Sequence, residues 1–156
     1  MTGEGQRSLP RWELLGGEVG DAGEVVQAAH AADAFVRLLD GRFLDTEAAI
    51  FGHLAAAFQF PWYFGDNWHA FDECFGEIDE QVANGSVVVV IKDGGAVRGG
   101  DPKALADLVT SLGYAGAHWA QGEAVSDFTI VVQVDEVTDA SAWEAAGVEF
   151  DQQVSS

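Results

Sequence analysis

Between Phe60 and Phe75 the chain reads FPWYFGDNWHAFDECF, a stretch that crowds aromatic rings, a histidine, a cysteine and carboxylates together. His69 and Glu73 stand four residues apart, so on a helix both could reach one metal ion. Two ligands are too few, and neither His53 nor His118 supplies a recognisable third-ligand spacing, so no metal is expected. Cys74 is the only cysteine, which excludes an internal disulfide and a cysteine-based zinc finger. Its place near the apolar side of a helix suits a buried structural thiol. Carboxylates are so abundant that no pair singles itself out for acid–base chemistry. No G-x-G-x-x-G or G-x-x-x-x-G-K-[ST] pattern opens a helix after a strand, so the phosphate cradle of nucleotide-binding folds is missing. Gly94-Gly95 and Gly99-Gly100 read instead as a surface loop. Neither catalysis nor a cofactor is expected.

Binding chemistry fits the same stretch better. Trp62, Tyr63 and Phe64 sit between Pro61 and Gly65, in a turn where burying three large rings at once is difficult. At least one exposed ring is expected, and exposed aromatics on a rigid turn anchor protein interfaces. The competing reading packs all three on the flank of the preceding helix. Asp66 or Asn67 can cap the helix that follows, which is expected to run to about Ala83. Trp68, Phe71, Phe75 and Ile78 then share one side; His69, Asp72, Glu73, Gly76 and Glu80 share the other.

Charge gives that outer side its character. Seven basic residues against 26 acidic ones leave a formal charge of −19 over 156 residues. No Lys or Arg occurs between Arg42 and Lys92, and none follows Lys103. Such a balance opposes direct binding to DNA or RNA, whose affinity comes mainly from cations displacing counterions at phosphates. It favours a basic partner, whose encounter a negative field accelerates. Acidity that merely keeps the protein soluble, or reflects a salt-adapted host, is the plainer alternative. The N-terminal sequence lacks the continuous apolar run of a secretory signal, and no apolar run approaches membrane-spanning length. A cytoplasmic protein with no membrane partner is expected.

The elements that must position these residues follow from periodicity. Residues 1–32 read as a flexible extension, with one short added strand at the knot Trp12, Leu14 and Leu15. Ala34–Leu39 reads as a strand, and Asp45 or Thr46 caps a helix to about Phe58 with Ile50, Leu54 and Phe58 on one stripe. Pro61 prevents its continuation. Ser86–Ile91 (SVVVVI) is a strand covered on both faces. Asp101-Pro102 opens a third helix with a core stripe of Leu105, Leu108, Val109 and Leu112, continuing past Gly113 toward Trp119. Phe128–Val134 is the last strand, and residues 135–156 form an acidic extension with a helical turn at Ser141–Ala146. The order strand-helix-helix-strand-helix-strand implies an α/β domain over 33–134 with a three-stranded parallel sheet.

With those residues laid out, the segment resembles the barstar family of intracellular ribonuclease inhibitors. Pro61, Tyr63, Gly65, Asn67, Ala70 and Cys74 stand as the family motif has them, and Phe64 replaces a tyrosine. The resemblance runs from about Ala34 to Val134. It implies an inhibitor, not an enzyme, whose partner is a small basic ribonuclease or nuclease toxin domain, and an immunity role inside the producing cell. It implies that Tyr63 stacks on the nuclease's catalytic imidazole and that Gly65 and Asn67 supply backbone and polar contacts. Glu73 falls where a carboxylate enters the phosphate subsite. His69 replaces a contact aspartate, Asp72 a contact tryptophan, and Ile78 a peripheral tryptophan. The expected partner-binding set is therefore Tyr63, Gly65, Asn67, His69, Asp72, Glu73 and Gly76. A barstar-like module binding a basic protein that is not a nuclease is the alternative.

Overall fold

The computed structural model describes residues 8–155. All strand pairs are parallel, and the sheet has five strands: β1 (Arg11–Gly16), β2 (Phe35–Asp40), β3 (Ser86–Lys92), β4 (Asp127–Val134) and β5 (Phe150–Ser155), in the order β2-β3-β4-β1-β5. The helices are α1 (Val19–Ala31), α2 (Glu47–Phe58), α3 (Trp68–Gly76), α4 (Pro102–Ala120) and the short α5 (Ser141–Ala145).

The layering follows from strand alternation. Val87, Val89 and Ile91 of β3, with Phe128, Ile130 and Val132 of β4, face a large core closed by Phe51, Leu54 and Phe58 of α2, Phe71 and Phe75 of α3, and Leu105, Leu108 and Leu112 of α4. The intervening Val88, Val90 and Val131, with Leu15 of β1, face Ala22, Val25 and Val26 of α1. One helix thus covers one face, and α2, α3 and α4 cover the other. The unbroken apolar run of β3 is what a strand walled on both sides requires.

Three strands were expected where five form. The expected three, β2, β3 and β4, are present and adjacent, but β1 lies beside β4 and β5 beside β1. The N-terminal segment also contributes α1, a 13-residue helix absent from the expected order. Its stripe of small residues and its two glycines, Gly20 and Gly23, weaken the helical signal. β5 (FDQQVS) is polar and has a neighbour on one side only, so it carries no apolar run. The expected flexible start falls partly on residues 1–7, outside the described residues.

The other boundaries bear on the site. α2 ends at Phe58, where Gln59 turns left-handed at φ 55°. α3 ends at Gly76, well short of Ala83, and a 3-10 turn over Glu77–Gln81 follows. In a continuing α-helix the Gly76 carbonyl would accept from the Glu80 N–H; here it accepts from the Trp119 indole Nε1 at 3.0 Å. α4 runs through Gly113 and Gly116 to Ala120, and Gly116 has to be glycine, because a Cβ there would run into the Leu9 carbonyl.

Candidate functional site

The turn before α3 sorts its three rings by geometry. The Phe64 N–H donates to the Pro61 carbonyl at 2.9 Å, closing a tight turn. Phe64 folds inward against Phe60 and Phe51, with ring centroids 5.1 and 5.9 Å away. Trp62 and Tyr63 point out, 94% and 68% exposed, and meet edge to face at 5.8 Å. The reading that packs all three rings inside is thereby corrected: a four-residue turn cannot aim consecutive side chains at one core.

Asn67 then starts α3 on a fixed heading. Its Oδ1 accepts from the Ala70 N–H at 2.8 Å, and its Nδ2 donates to the Gly65 carbonyl at 3.0 Å. The side chain therefore caps the helix and ties it to the turn, which gives Asn67 a structural task whatever it contacts in a partner. Asp66 is not the cap; it takes φ 48°, a left-handed value that acidic residues tolerate better than most. The Trp68 Nε1 reaches Glu47 Oε2 on α2 at 3.1 Å, and behind α3 Phe71 and Phe75 stack with centroids 5.4 Å apart. Trp119 stacks on Phe75 at 5.5 Å. The outer face thus rides on a stiff aromatic block.

That outer face is acidic and almost unrelieved. Asp72, Glu73, Glu77 and Glu80 are exposed, and Asp79 is half-buried. Among the described residues, its one contact to a side chain that can carry positive charge joins His69 Nε2 to Glu73 Oε1 at 3.0 Å, with both side chains mostly in solvent. Among the described residues, the Lys and Arg groups are engaged elsewhere. Arg11 meets Glu13 and Asp127, Arg42 and Lys92 meet Asp40, Arg98 meets Asp139, and Lys103 meets Asp107. Arg37 bonds the carbonyls of Ala57 and Val36 and lies over Phe35. Gly76 leaves open space where a side chain would stand, since a Cβ there meets nothing within 4 Å.

One residue departs from its expected setting. Cys74 is half-buried, not fully buried; burial first, then the charges of Glu77 and Glu73, raise its thiol above the ordinary value, so it rests protonated and unreactive. Ile78, placed by helical spacing on the apolar side, is buried in the core, so no partner meets it where the family has a peripheral tryptophan. Three exposed rings stand outside the expected set: Phe43, Trp62, and Tyr114 on α4, which is 69% exposed beside α3. Tyr114 lies off the Leu105–Leu112 stripe, and that offset was its only sequence signal. No group of three or more His, Cys, Asp or Glu stands close enough to hold one metal ion among the described residues. Nor is any described helix long and apolar enough to cross a membrane.

A parallel β-sheet with helices on both faces and an acidic helix behind an aromatic turn defines the chain as an α/β domain. A family model described as Barstar (barnase inhibitor) matches residues 34–133, from the start of β2 to the end of β4, and the chain belongs to the barstar family. No curated protein matches the chain. Among solved structures, the ORC2 protein of Aeropyrum pernix is similar with TM-score 0.60 at 11% identity, over 97% of this chain and 43% of that one. The Walker-type ATPase PABY2304 of Pyrococcus abyssi gives 0.57 at 14%, over 92% and 48%. Cdc6p of Pyrobaculum aerophilum gives 0.53 at 17%, over 94% and 38%. This chain spans less than half the length of each, and at such identities the likeness is one of fold.

Proposed function

We propose that the chain is an intracellular inhibitor that closes the active site of a small basic ribonuclease, with α3 and its preceding turn standing in for RNA. The observation that carries this reading is the acidic outer face of α3, free of Lys and Arg partners among the described residues, beside the exposed rings of Trp62 and Tyr63. A ribonuclease presents cationic side chains around the place of a phosphate and a cleft for a base. Glu73 and Asp72, held on a helix whose heading Asn67 and Trp119 fix, meet those cations with little side-chain freedom left to lose. Tyr63 offers a ring where a base would stack, and Gly65, Asn67 and Gly76 let the partner's backbone approach. Family membership supports a ribonuclease partner in general; an immunity role in the cytoplasm of the producing cell is the finer part of the proposal.

The fold's other relatives raise a nucleotide reading, since the Aeropyrum pernix structure is of ADPNP-ADP complexes and the Pyrococcus abyssi protein is a Walker-type ATPase. The residues of this chain speak against it. Only Gly17 and Glu18 separate β1 from α1, too few for a phosphate-wrapping loop. The first turn of α1 holds its own carboxylate, Asp21, which accepts from the Glu18 N–H at 2.7 Å. The crevice at the carboxyl ends of the strands, where open α/β sheets take ligands, is filled around β4 and β1, and what remains is a pocket of about 220 Å³ at the ends of β2 and β3, lined by Val19, Asp40, Arg42, Lys92 and Asp93. Fully buried Gln133 spans from the Asp93 N–H at 2.7 Å to the Gly17 carbonyl at 2.8 Å, and buried Trp143 donates to the Gly94 carbonyl at 2.9 Å.

One observation favours the alternative, a basic partner that is not a nuclease: His69 already holds Glu73 in the free protein, so an arriving arginine has to displace it. Inhibition assays against a panel of small guanyl-specific and related ribonucleases decide between the two. Stoichiometric inhibition of at least one, lost with Glu73→Ala, is expected. Inactivity across the panel, with only non-nuclease proteins recovered from host lysate, would overturn the inhibitor reading.

A further inference from the structure

At the amino ends of β2 and β3, on the sheet edge that β2 forms, lies a pocket of about 240 Å³. Its walls are His30 and Asp33 at the end of α1, Val36 and Arg37 of β2, and Gln81 and Ala83 ahead of β3. Among the described residues, Arg37 is the one Lys or Arg without a carboxylate partner; Arg11, Arg42, Lys92, Arg98 and Lys103 each have one. In a chain with 26 acidic residues for seven basic ones, that lack does not come from a shortage of carboxylates. We infer that Arg37 anchors a binding site for a small organic monocarboxylate. The inference stands apart from the reading of α3 as an inhibitory surface.

The guanidinium is held in place with donors to spare. Its Nε donates to the Ala57 carbonyl and its Nη1 to the Val36 carbonyl, both at 2.9 Å, and it lies 4.2 Å over the Phe35 ring. Ala57 belongs to the last turn of α2, where orphan carbonyls favour a cation. Two carbonyls and a ring fix the position of the charge without neutralising it. A guanidinium has five N–H donors, so both on Nη2 and the second on Nη1 remain for a ligand. Arg37 is half-buried, and a carboxylate arriving there meets a cation already oriented and partly stripped of water. Charge then limits the ligand to a monoanion. The chain carries −19, and Asp33 is exposed at the pocket, so a second negative charge is repelled. Size limits the body to a few carbons, since drug-sized ligand sites begin at roughly 300 Å³. Val36 and Ala83 offer that body an apolar wall, and Gln81 and His30, both exposed, can meet a polar substituent.

Butyrate, butyramide and inorganic phosphate, each titrated into the full chain at constant ionic strength, test the site. The Arg37 Nε–H signal and the backbone amides of residues 34–37, Gln81 and Ala83 are followed by NMR. Saturable shifts confined to these residues are expected for butyrate. Butyramide, which keeps the body and loses the charge, and phosphate should each bind weaker by about fivefold or more. Arg37→Gln should abolish the butyrate response. Because that variant also loses a bond to α2, Ala83→Phe supplies a second reading: at an exposed position it fills the pocket and leaves Arg37 in place. It should abolish the butyrate shifts with the urea midpoint unchanged. Equal response to butyrate and butyramide, phosphate binding as tight as butyrate, shifts that never saturate, or butyrate shifts that survive either variant would overturn the inference.

Discussion

Trp119 of α4 and Gly76 of α3 are joined by one hydrogen bond, indole Nε1 to carbonyl oxygen at 3.0 Å, at the point where α3 ceases to be an α-helix. This bond ends the helix, sets the separation of α3 from α4, and anchors the outer face to the core through the Trp119–Phe75 stack. Replacing Trp119 with Phe keeps a ring and removes the donor. It should destabilise the fold by about 1–3 kcal/mol, read as a shift of the urea midpoint with the slope unchanged.

Glu73→Ala should separate binding from folding. The side chain is solvent-exposed and, among the described residues, bonded only to His69, so stability should change by no more than about 0.5 kcal/mol. Affinity for the cognate nuclease should fall by about 2 kcal/mol or more, because a cation is left buried without its partner. Isothermal titration beside thermal unfolding of the same variant checks both halves.

Tyr63 and Trp62 should act as anchors in the same divided way. Each is exposed in the free protein, so alanine at either position should leave unfolding nearly unchanged. Tyr63→Ala should weaken nuclease binding by about 2 kcal/mol, whereas Tyr63→Phe keeps the stacking surface and should be mild. Surface plasmon resonance should place most of the loss in the dissociation rate.

Acid sensitivity should begin at His53. Its Nε2 accepts from the Asp40 N–H at 2.9 Å, which requires a neutral ring, and burial holds its pKa below the ordinary value despite the nearby Asp40 carboxylate. A lowered folded-state pKa means the contribution is complete above the unfolded value of about 6.5 and drains away as pH falls through the folded one. Asp40 adds a second step at lower pH: its hydrogen bond from Arg42 holds its carboxyl below the ordinary range, so that contribution is lost on further acidification. Melting temperatures between pH 7.5 and 5 should decline, and His53→Gln should flatten that decline while leaving the acid step below pH 4 in place.

The parts of this fold with strong apolar signals were legible without coordinates. β3 announces itself as SVVVVI, β4 as FTIVVQV, and α2 and α4 by their leucine and phenylalanine stripes. The helix cap at Asn67 and the proline start of α4 at Pro102 are local chemistry and could be read locally. What stayed hidden depended on neighbours. α1 needs only alanines and two valines to cover a shallow patch of sheet, and β5 is specified by pairing with β1, not by its own residues. The end of α3 was misplaced because the group that stops it, Trp119, lies far along the chain. The acidic face could be anticipated from helical spacing. The choice of Trp62 and Tyr63 over Phe64 as the outward rings could not, because it is made by the turn at Pro61 and by the space Phe51 and Phe60 leave for one ring.

Family likeness begins at residue 34 and stops at 133, yet β4 hydrogen-bonds on its far side to β1. An expression fragment trimmed to the matched segment would bare a long valine-rich edge. Exposed main-chain groups of that kind recruit other copies of themselves. Precipitation of such a fragment would therefore report a missing flank, and would say nothing against the binding role proposed for α3.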